Sequence, residues 1–310
     1  MSFTQTTELP VSPEEAFALI TEPERLRRWK TVSAYVDLRA GGEYRFTIVP
    51  GQTAAGKYRE IEPGRRIVFG WGWEGSPDLP PDTSTVTVTI EPTDAGSRVT
   101  LVHEGLTPEQ EESHGMGWHH FFERLETLIV KGDAGQDEWA WAPEQLDPSN
   151  AADAALSAIQ PVLRALTRED QPKPTPCNDF TAHQLVVHLI ESLVGIGGMA
   201  GTTIPAPDGP SAEDKVSVAA AAAIDAWRGQ DEWQARLLPV ELLLHGWDLA
   251  QATGQTVRVS DEVVGYVRGL AEAFVPGGRE RGSFGPEVTA SGDASPIDSL
   301  AAYAGRTALI

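Results

Sequence analysis

The segment LLPVELLLHGWDLAQATG, residues 237–254, is an apolar helical pattern interrupted by a carboxylate and an imidazole. Its leucines indicate burial, and Gly254 is a residue type that commonly ends a helix. Glu241 and His245 stand four positions apart, so they project from the same face of this helix. Because an unpaired carboxylate is costly to bury, Glu241 needs a partner inside the protein.

A second histidine offers that partner from another helix. His188 lies in the apolar run LVVHLI, residues 185–190. Two imidazoles and one carboxylate converging in a helical bundle suit Zn²⁺ or another divalent metal, with a position left for water or substrate. Asp248, three residues after His245, is placed to accept the other imidazole N–H. Two simpler interpretations stay open, namely a chance Glu–His surface pair and hydrogen-bonded core histidines.

The second half of the chain has almost no strand pattern. A linker is predicted at 133–149, where Gly, Asp, Pro and Gln are frequent, and helical patterns follow. We predict an all-α helical bundle over 150–310. Its helices are expected at about 149–167, 180–198, 211–228, 236–253 and 260–274.

The first half follows a different order of helix, antiparallel strands and long closing helix. Ser12 and Glu15 predict a capping box at a helix start, and TVTVTI, residues 85–90, alternates as a half-buried strand does. Residues 107–132 repeat large apolar side chains at spacings of three and four. These patterns predict an α+β domain over 1–132, whose curved sheet wraps the last helix and leaves an apolar cavity.

Aromatic and histidine side chains are the candidates for the wall of that cavity. The set is Trp71, Trp73, His103, Trp118 and His119. Paired aromatic rings can stack on a planar ligand, while core packing is the simpler interpretation for many of them. His119 and His120 are adjacent in a helix, so only one of them can face the cavity. His103 is either an acid–base group or a hydrogen-bonded strand histidine.

Charge and composition limit the classes of function. The 310 residues include 45 acidic and 24 basic side chains, for a formal net charge of -21, which disfavours binding to nucleic acids or anionic membranes. No segment has the ~20 apolar residues of a membrane span, and no early stretch resembles a signal peptide. We therefore expect a soluble, cytoplasmic protein. Cys177 is the only cysteine, which excludes an intrachain disulfide, and we interpret it as structural.

Two segments of the second half, PCNDFTAHQLVVHLIESL (176–193) and ELLLHGWDLAQATG (241–254), resemble a known family. It is the mycothiol-dependent maleylpyruvate isomerase-like branch of the DinB superfamily, a group of metal-binding helical bundles found in actinobacteria. The resemblance extends over about 150–310 and includes FGPEV (284–288). It implies a DinB-like fold for the predicted bundle.

This resemblance implies roles as well as a fold. The metal ligands of the family correspond here to His188, Glu241 and His245. Characterised members include thiol-dependent isomerases and thiol transferases, whose metal lowers the pKa of a bound thiol that attacks an electrophile. Zn²⁺ and a low-molecular-weight thiol such as mycothiol are therefore implied. Arg236 and Arg306 are candidates to bind a substrate carboxylate, and the alternative is that both are surface arginines.

Three segments of the first half, PVSPEEAFALITEPERLRRW (10–29), GGEYRF (41–46) and GMGWHHFFERLETL (115–128), carry a second resemblance. They are similar to the START-like (SRPBCC) superfamily, in its heat-shock-ATPase-activator (Aha-type) branch. The resemblance spans about 1–132 and implies a helix-grip fold. Members include ligand carriers, polyketide cyclases and proteins that sequester toxic natural products, and they usually hold no metal.

These patterns lead to one main hypothesis and two alternatives. The main hypothesis is a metal-dependent thiol transferase- or isomerase-like protein in natural-product tailoring or detoxification. Its substrate is a small apolar or aromatic electrophile, held with the help of the START-like pocket. One alternative is a non-enzymatic small-molecule-binding or self-resistance protein whose metal is structural or absent. The other is a chaperone cofactor, suggested by the Aha-type resemblance alone. The sequence does not determine the oligomeric state.

Overall fold

The computed structural model describes residues 2–177, 180–204, 207 and 209–309. The chain divides into two compact units, Met1–Asp137 and Glu138–Ile310. Asp137 belongs to the first unit, where its carboxylate contacts His120 Nε2 at 2.9 Å and Arg124 Nε at 3.5 Å. No helix within the described ranges is long and apolar enough to cross a membrane.

The first unit is built on a seven-stranded antiparallel sheet with the order β1-β7-β6-β5-β4-β3-β2. The strands are β1 (Ser2–Leu9), β2 (Ser33–Val36), β3 (Glu43–Val49), β4 (Gln52–Glu62), β5 (Arg66–Trp71), β6 (Ser84–Thr93) and β7 (Gly96–Glu104). The helices of this unit are α1 (Pro13–Thr21), α2 (Pro23–Leu26) and α3 (Pro108–Lys131). This mixed α/β arrangement agrees with the helix-grip prediction for the first half.

The core of the first unit lies between the sheet and α3. In β6, the apolar residues of the TVTVTI run are buried and the threonines between them are half-buried, as the alternation predicts. Helix α3 buries one face, formed mainly by Trp118, Phe121, Phe122, Leu125 and Leu128. It approaches β1 closely at Gly115, where a Cβ atom would lie 2.9 Å from the Phe3 ring. Only glycine fits this approach without a shift of Phe3.

Helices α1 and α3 both begin at a capping residue, but only α3 has a complete capping box. Thr107 and Gln110 form a reciprocal capping box at the start of α3. At α1, Ser12 accepts a hydrogen bond from the Glu15 backbone N–H at 3.3 Å, but the Glu15 carboxylate pairs with Arg25 of α2. The predicted capping box of α1 is therefore only half formed, because an ion pair between two helices takes the Glu15 side chain.

The second unit consists of helices and irregular segments in the residues that the structure describes. Within those residues, a 3₁₀ turn at Glu138–Ala140 precedes α4 (Pro148–Arg164), α5 (Ala182–Gly198), α6 (Ala212–Trp227), α7 (Leu237–Thr253), α8 (Asp261–Glu280) and α9 (Pro296–Tyr303). Helices α4 and α5 each pack on α6 and α7, while α8 lies on α4 and α7, and α9 lies on α7 and α8. Helix α7 therefore lies at the centre of this unit, with neighbours on several sides.

Helix α7 passes close to α4 at a glycine. A Cβ atom at Gly246 would lie 2.1 Å from Ile159 Cγ2 and 2.8 Å from Ile159 Cβ. Ile159 is completely buried, so it has little room to move aside. We expect Gly246→Ala to lower the free energy of unfolding by about 1–3 kcal/mol through overpacking. Urea denaturation followed by circular dichroism measures this change.

Gly265 provides a matched control on the exposed side of α8, where no atom lies within 4 Å of the position of a Cβ atom. Gly265→Ala is expected to be neutral or to raise the free energy of unfolding by up to about 1 kcal/mol, because alanine favours helix. Equal effects of the two substitutions would contradict the close packing of α7 on α4.

Candidate functional site

Helices α5 and α7 bring the three predicted metal ligands together. His188 extends from α5, and Glu241 and His245 extend from α7. One ligand atom of each residue lies within 4.8 Å of the others. The two imidazole ring centroids are 5.1 Å apart in an edge-to-face arrangement. His245 is buried, whereas His188 and Glu241 are half-buried, so the cluster is not sealed from solvent.

Two carboxylates fix the orientation of the His245 ring. Nδ1 of His245 lies 3.1 Å from Asp248 Oδ2, and Nε2 lies 3.4 Å from Glu241 Oε2. Because a carboxylate accepts, Nδ1–H donates to Asp248. This hydrogen bond leaves Nε2 as the atom of His245 that can bind a metal.

An arginine neutralises Asp248 in turn. Asp248 is completely buried, and its Oδ2 lies 3.5 Å from Arg306 Nε. Arg306 is 7% exposed and its guanidinium lies 5.3 Å from the centroid of the Phe284 ring. The interpretation of Arg306 as a surface arginine is therefore wrong, because its charge is buried between Asp248 and Phe284. Arg236 does lie near the surface, where it pairs with Asp231 at 2.9 Å.

The charges of this cluster are strongly coupled. Burial opposes ionisation of Glu241, but the adjacent His245 imidazole, the Ser192 hydroxyl and His188 together outweigh it and lower the pKa of Glu241 to about 2. Burial also opposes the charged form of His245, but Asp248 and Glu241 raise its pKa to about 9. The pKa of His188 is lowered, mainly by burial and to a smaller extent by the positive charge on His245. Without a metal, the cluster therefore holds a protonated His245 between two carboxylates at neutral pH.

The donor atoms of the cluster fit a divalent metal. Glu241 Oε2 is buried and makes no hydrogen bond to any described residue. Its 3.4 Å separation from His245 Nε2 is an ion-pair contact rather than a hydrogen bond. Two imidazole nitrogens and one carboxylate oxygen form a ligand set common for zinc. A divalent cation would supply the partner that Glu241 Oε2 lacks and would replace the proton on His245.

Cys177 lies beside the same cluster. Its Sγ and one ligand atom each of His245 and Asp248 all lie within 4.8 Å of one another. The sequence near Cys177 offers no plausible histidine partner, so the structural interpretation missed this neighbourhood, which the fold creates by bringing α7 next to Cys177. Phe180 stacks on His188, with ring centroids 4.8 Å apart. A second candidate ligand set therefore shares His245 with the first, and a test of the metal site must separate them.

In the first unit, four of the five predicted cavity residues form an aromatic cluster. The Trp71 ring centroid lies 5.5 Å from that of Trp73, 5.1 Å from that of Trp118 and 6.0 Å from that of His103. His119 lies outside the cluster, because its side chain is 63% exposed. Of the five predicted residues, Trp118 lines the small cavity in the core of this unit, whereas Trp71, Trp73, His103 and His119 do not.

His114 occupies the place in the cluster that was expected for His119. Its ring centroid is 5.1 Å from that of His103, and its Nε2 accepts a hydrogen bond from Trp73 Nε1 at 3.1 Å. His114 precedes Trp118 by four residues in α3, so both lie on the buried face. His119 is rotated from Trp118 by about 100° around the helix. Helical spacing from Trp118 is the signal that identifies His114.

His103 is a hydrogen-bonded strand histidine. Trp118 Nε1 donates to its Nδ1 at 3.1 Å, so Nδ1 is an acceptor and Nε2 carries the proton. Nε2 donates to Ser84 Oγ at 2.9 Å, and the Ser84 hydroxyl donates to the Trp71 carbonyl at 3.0 Å. Burial, with smaller contributions from the nearby His114 and Lys30, lowers the pKa of His103 to about 3. At neutral pH this histidine is therefore uncharged, with both ring nitrogens occupied.

A small cavity lies in the core of the first unit. About 20 Å³ of it is open to the centre of a water molecule, which is room for about one water. Aliphatic and aromatic side chains form most of its wall, and Lys30 and Tyr58 contribute the polar groups. Lys30 ends the charged run LRRWK, residues 26–30, and such a run gives no sign of burial. Its position is the main feature of this unit that sequence patterns miss.

The first unit matches a known protein family. Residues 10–129 match the family described as Activator of Hsp90 ATPase homolog 1-like protein. The first unit is therefore an AHSA1-type, START-like domain, which confirms the resemblance for this part of the chain.

Individual relatives match about half of the chain each. The uncharacterized protein Rv0738 of Mycobacterium tuberculosis is 31% identical over 181 residues, which span 52% of this chain and 99% of that protein. Protein CV1439 from Chromobacterium violaceum is a similar solved structure, 24% identical, with a TM-score of 0.36 over 41% of this chain and 96% of the other. The Aha1 dimer from Colwellia psychrerythraea is 15% identical, with a TM-score of 0.39 over 43% of this chain and 98% of the other.

Proposed function

We propose that this chain, which belongs to the same family as the uncharacterized protein Rv0738 of Mycobacterium tuberculosis, combines ligand binding with metal-dependent chemistry. In this proposal the AHSA1-type domain binds a small apolar or aromatic molecule. The second unit is a DinB-like bundle that holds Zn²⁺ or another divalent metal at His188, Glu241 and His245. The reaction class is thiol transfer to, or isomerisation of, a small electrophile in detoxification or natural-product tailoring.

The observation that carries this proposal is that the buried Oε2 atom of Glu241 lacks a hydrogen-bond partner among the described residues. A purely structural Glu–His pair would close a hydrogen bond between Glu241 Oε2 and His245 Nε2. Here these atoms are 3.4 Å apart, and the buried oxygen has no hydrogen bond within the described part of the chain. His188 brings a second imidazole to the same point from α5. Three donors facing one another in this way favour a cation between them over a closed polar network.

Zinc at this position would lower the pKa of a coordinated thiol or water and so supply a nucleophile at neutral pH. The residues of the chain have separate tasks around it. Asp248 holds the Nδ1 proton of His245 and leaves Nε2 available. Arg306 balances the charge of Asp248, which would otherwise be buried without a full partner. Three protein ligands leave a position for a low-molecular-weight thiol such as mycothiol.

A thiol-alkylation assay tests the proposed reaction class. We expect the zinc-loaded protein to accelerate the reaction of mycothiol with 1-chloro-2,4-dinitrobenzene at least about tenfold, because the thiolate fraction rises at neutral pH. The same protein after removal of the metal by a chelator serves as the control. Rates that are equal before and after chelation, with zinc present at the site, would contradict a thiol-activating role.

A non-enzymatic binding protein is the second candidate function, and the first unit favours it. His103, the predicted acid–base candidate of this unit, is uncharged at neutral pH and has both ring nitrogens hydrogen-bonded, so it is not available as an acid or a base. A protein of this kind would bind an apolar ligand in the first unit and use the metal for stability. Ligand binding together with zinc binding, but without thiol activation, would support this alternative.

A further inference from the structure

A lysine is buried in the core of the first unit. Lys30 follows α2 and is 6% exposed. It lines the small cavity together with Phe46, Tyr58 and Trp118. Lysine is rarely buried to this degree unless its charge is paired. The position of Lys30 therefore requires a physical reason.

Aromatic rings, rather than carboxylates, surround the amine. Nζ of Lys30 lies 4.5 Å from the ring centroid of Trp118 and 5.1 Å from the centroids of Phe46 and Trp71. In the part of the chain that the structure describes, Nζ makes no hydrogen bond and no ion pair. Cation–π contacts offset part of the loss of hydration, but they leave the N–H donors without acceptors. Burial lowers the pKa of Lys30 to about 7, so a large fraction of the amine is uncharged near neutral pH.

A structural role does not account for this arrangement. A lysine that only fills core space normally extends its amine to the surface or places it beside an acidic group. Lys30 does neither, and its side chain lines a cavity. The Tyr58 hydroxyl in the same wall also makes no hydrogen bond to the described residues, although Tyr58 is 2% exposed. The Lys30 amine and the Tyr58 hydroxyl are therefore available to bind or react with a ligand in this mostly apolar cavity.

We propose that Lys30 is a covalent attachment point for a small aldehyde or ketone on an apolar body, which the first unit captures as an imine. The Nζ lone pair attacks the carbonyl carbon, and a carbon–nitrogen bond forms as the carbonyl π bond opens. The resulting carbinolamine loses its oxygen as water, which takes both amine hydrogens. No oxidant or reductant is needed, and hydrolysis reverses the step. Desolvated lysines are the nucleophiles that proteins use for this chemistry.

The cavity and its walls limit the size of the captured compound. The space as it stands holds about one water, so a larger ligand displaces wall side chains. The aromatic rings around Nζ favour a flat or aromatic carbonyl compound. This inference deepens the ligand-binding part of the proposed function and does not depend on the metal.

Reductive trapping tests the inference on the full-length chain. Benzaldehyde and sodium cyanoborohydride are added at pH 7, and peptide mass spectrometry maps the trapped amines. We expect Lys30 to be modified at least about tenfold more than Lys57, because burial leaves a large fraction of the Lys30 amine uncharged and nucleophilic near neutral pH. Lys57 is an exposed lysine of the same unit, 3.5 Å from Glu43.

Two variants complete the experiment. Lys30→Met removes the amine and keeps the shape of the side chain, so the adduct should disappear from this peptide, while Lys57→Met should leave trapping at Lys30 unchanged. If Lys30→Met does not fold, the peptide map of the native chain decides alone. Modification of Lys30 that is no greater than that of Lys57 would overturn the inference. Naphthalene binding, followed by tryptophan fluorescence, separates this failure from a failure of the ligand-binding proposal, because naphthalene has no carbonyl group.

Discussion

Replacing Glu241 by glutamine is expected to weaken zinc binding by more than about 100-fold. Changes in groups that only orient a ligand cost 10–100-fold in metal affinity, and Glu241→Gln removes a proposed ligand charge itself. The substitution keeps the size of the side chain, so a loss of affinity would not arise from a cavity. Competition with a chromophoric zinc chelator at neutral pH measures the change.

Two controls define what this result means. Glu262→Gln changes an exposed carboxylate in the first turn of α8, and its zinc affinity should stay within about twofold of the native value. Cys177→Ser removes the sulfur of the second candidate ligand set and should also leave the affinity nearly unchanged. Zinc binding that survives in Glu241→Gln but is lost in Cys177→Ser would place the metal at Cys177, His245 and Asp248 instead.

Replacing Asp248 by alanine is expected to lower the free energy of unfolding by about 3–5 kcal/mol, because it leaves a buried charge without its partner. Asp248 is completely buried, and Arg306 is 7% exposed. Asp248 Oδ2 and Arg306 Nε are 3.5 Å apart. The same substitution removes the acceptor of the His245 Nδ1 proton. Urea denaturation of the metal-free protein separates this loss from any effect of zinc.

Asp231 offers a matched control at the surface. It pairs with Arg236 at 2.9 Å, but its side chain is 71% exposed. Asp231→Ala should therefore change the free energy of unfolding by less than about 1 kcal/mol. Asp248→Asn, which keeps an acceptor for His245 but loses the charge, should fall between the two. Similar values for Asp248→Ala and Asp231→Ala would contradict the buried pairing of Asp248 with Arg306.

The candidate metal site shows what helical spacing can and cannot predict. Glu241 and His245 lie on one face of α7 because a spacing of four residues produces that arrangement in any helix. Cys177 and Arg306 reach the same cluster from segments that are distant along the chain. Their positions depend on the packing of α7 against its neighbours, which no local pattern encodes. The burial of Arg306 in particular follows from contacts formed only after folding.

The last part of the second unit departs from the predicted helices in two ways. The helix predicted at about 260–274 is too short, because α8 continues through Pro276 to Glu280. Helix α9 was not predicted, although Ser295 caps it and Pro296 occupies its first turn, which is a typical start signal.

The cavity of the first unit was harder to foresee than its sheet. The alternation in residues 85–90 predicts which side chains of β6 point inward, and β6 follows it. Lys30 has no such periodicity, because it lies between α2 and β2 in a short connection. Its burial results from the aromatic side chains of β3, β5 and α3 that surround Nζ. Residues of this kind are visible only once the tertiary structure is known.

The ligand set of the bound metal is the most direct test of the central claim. X-ray absorption spectroscopy on the zinc-loaded protein, together with its metal content, reports both the stoichiometry and the donor atoms. We predict about one zinc per chain, bound by two imidazole nitrogens and oxygen, with no sulfur at the ~2.3 Å typical of zinc–thiolate bonds. A sulfur ligand from Cys177, or the absence of stoichiometric zinc at neutral pH, would contradict the site formed by His188, Glu241 and His245.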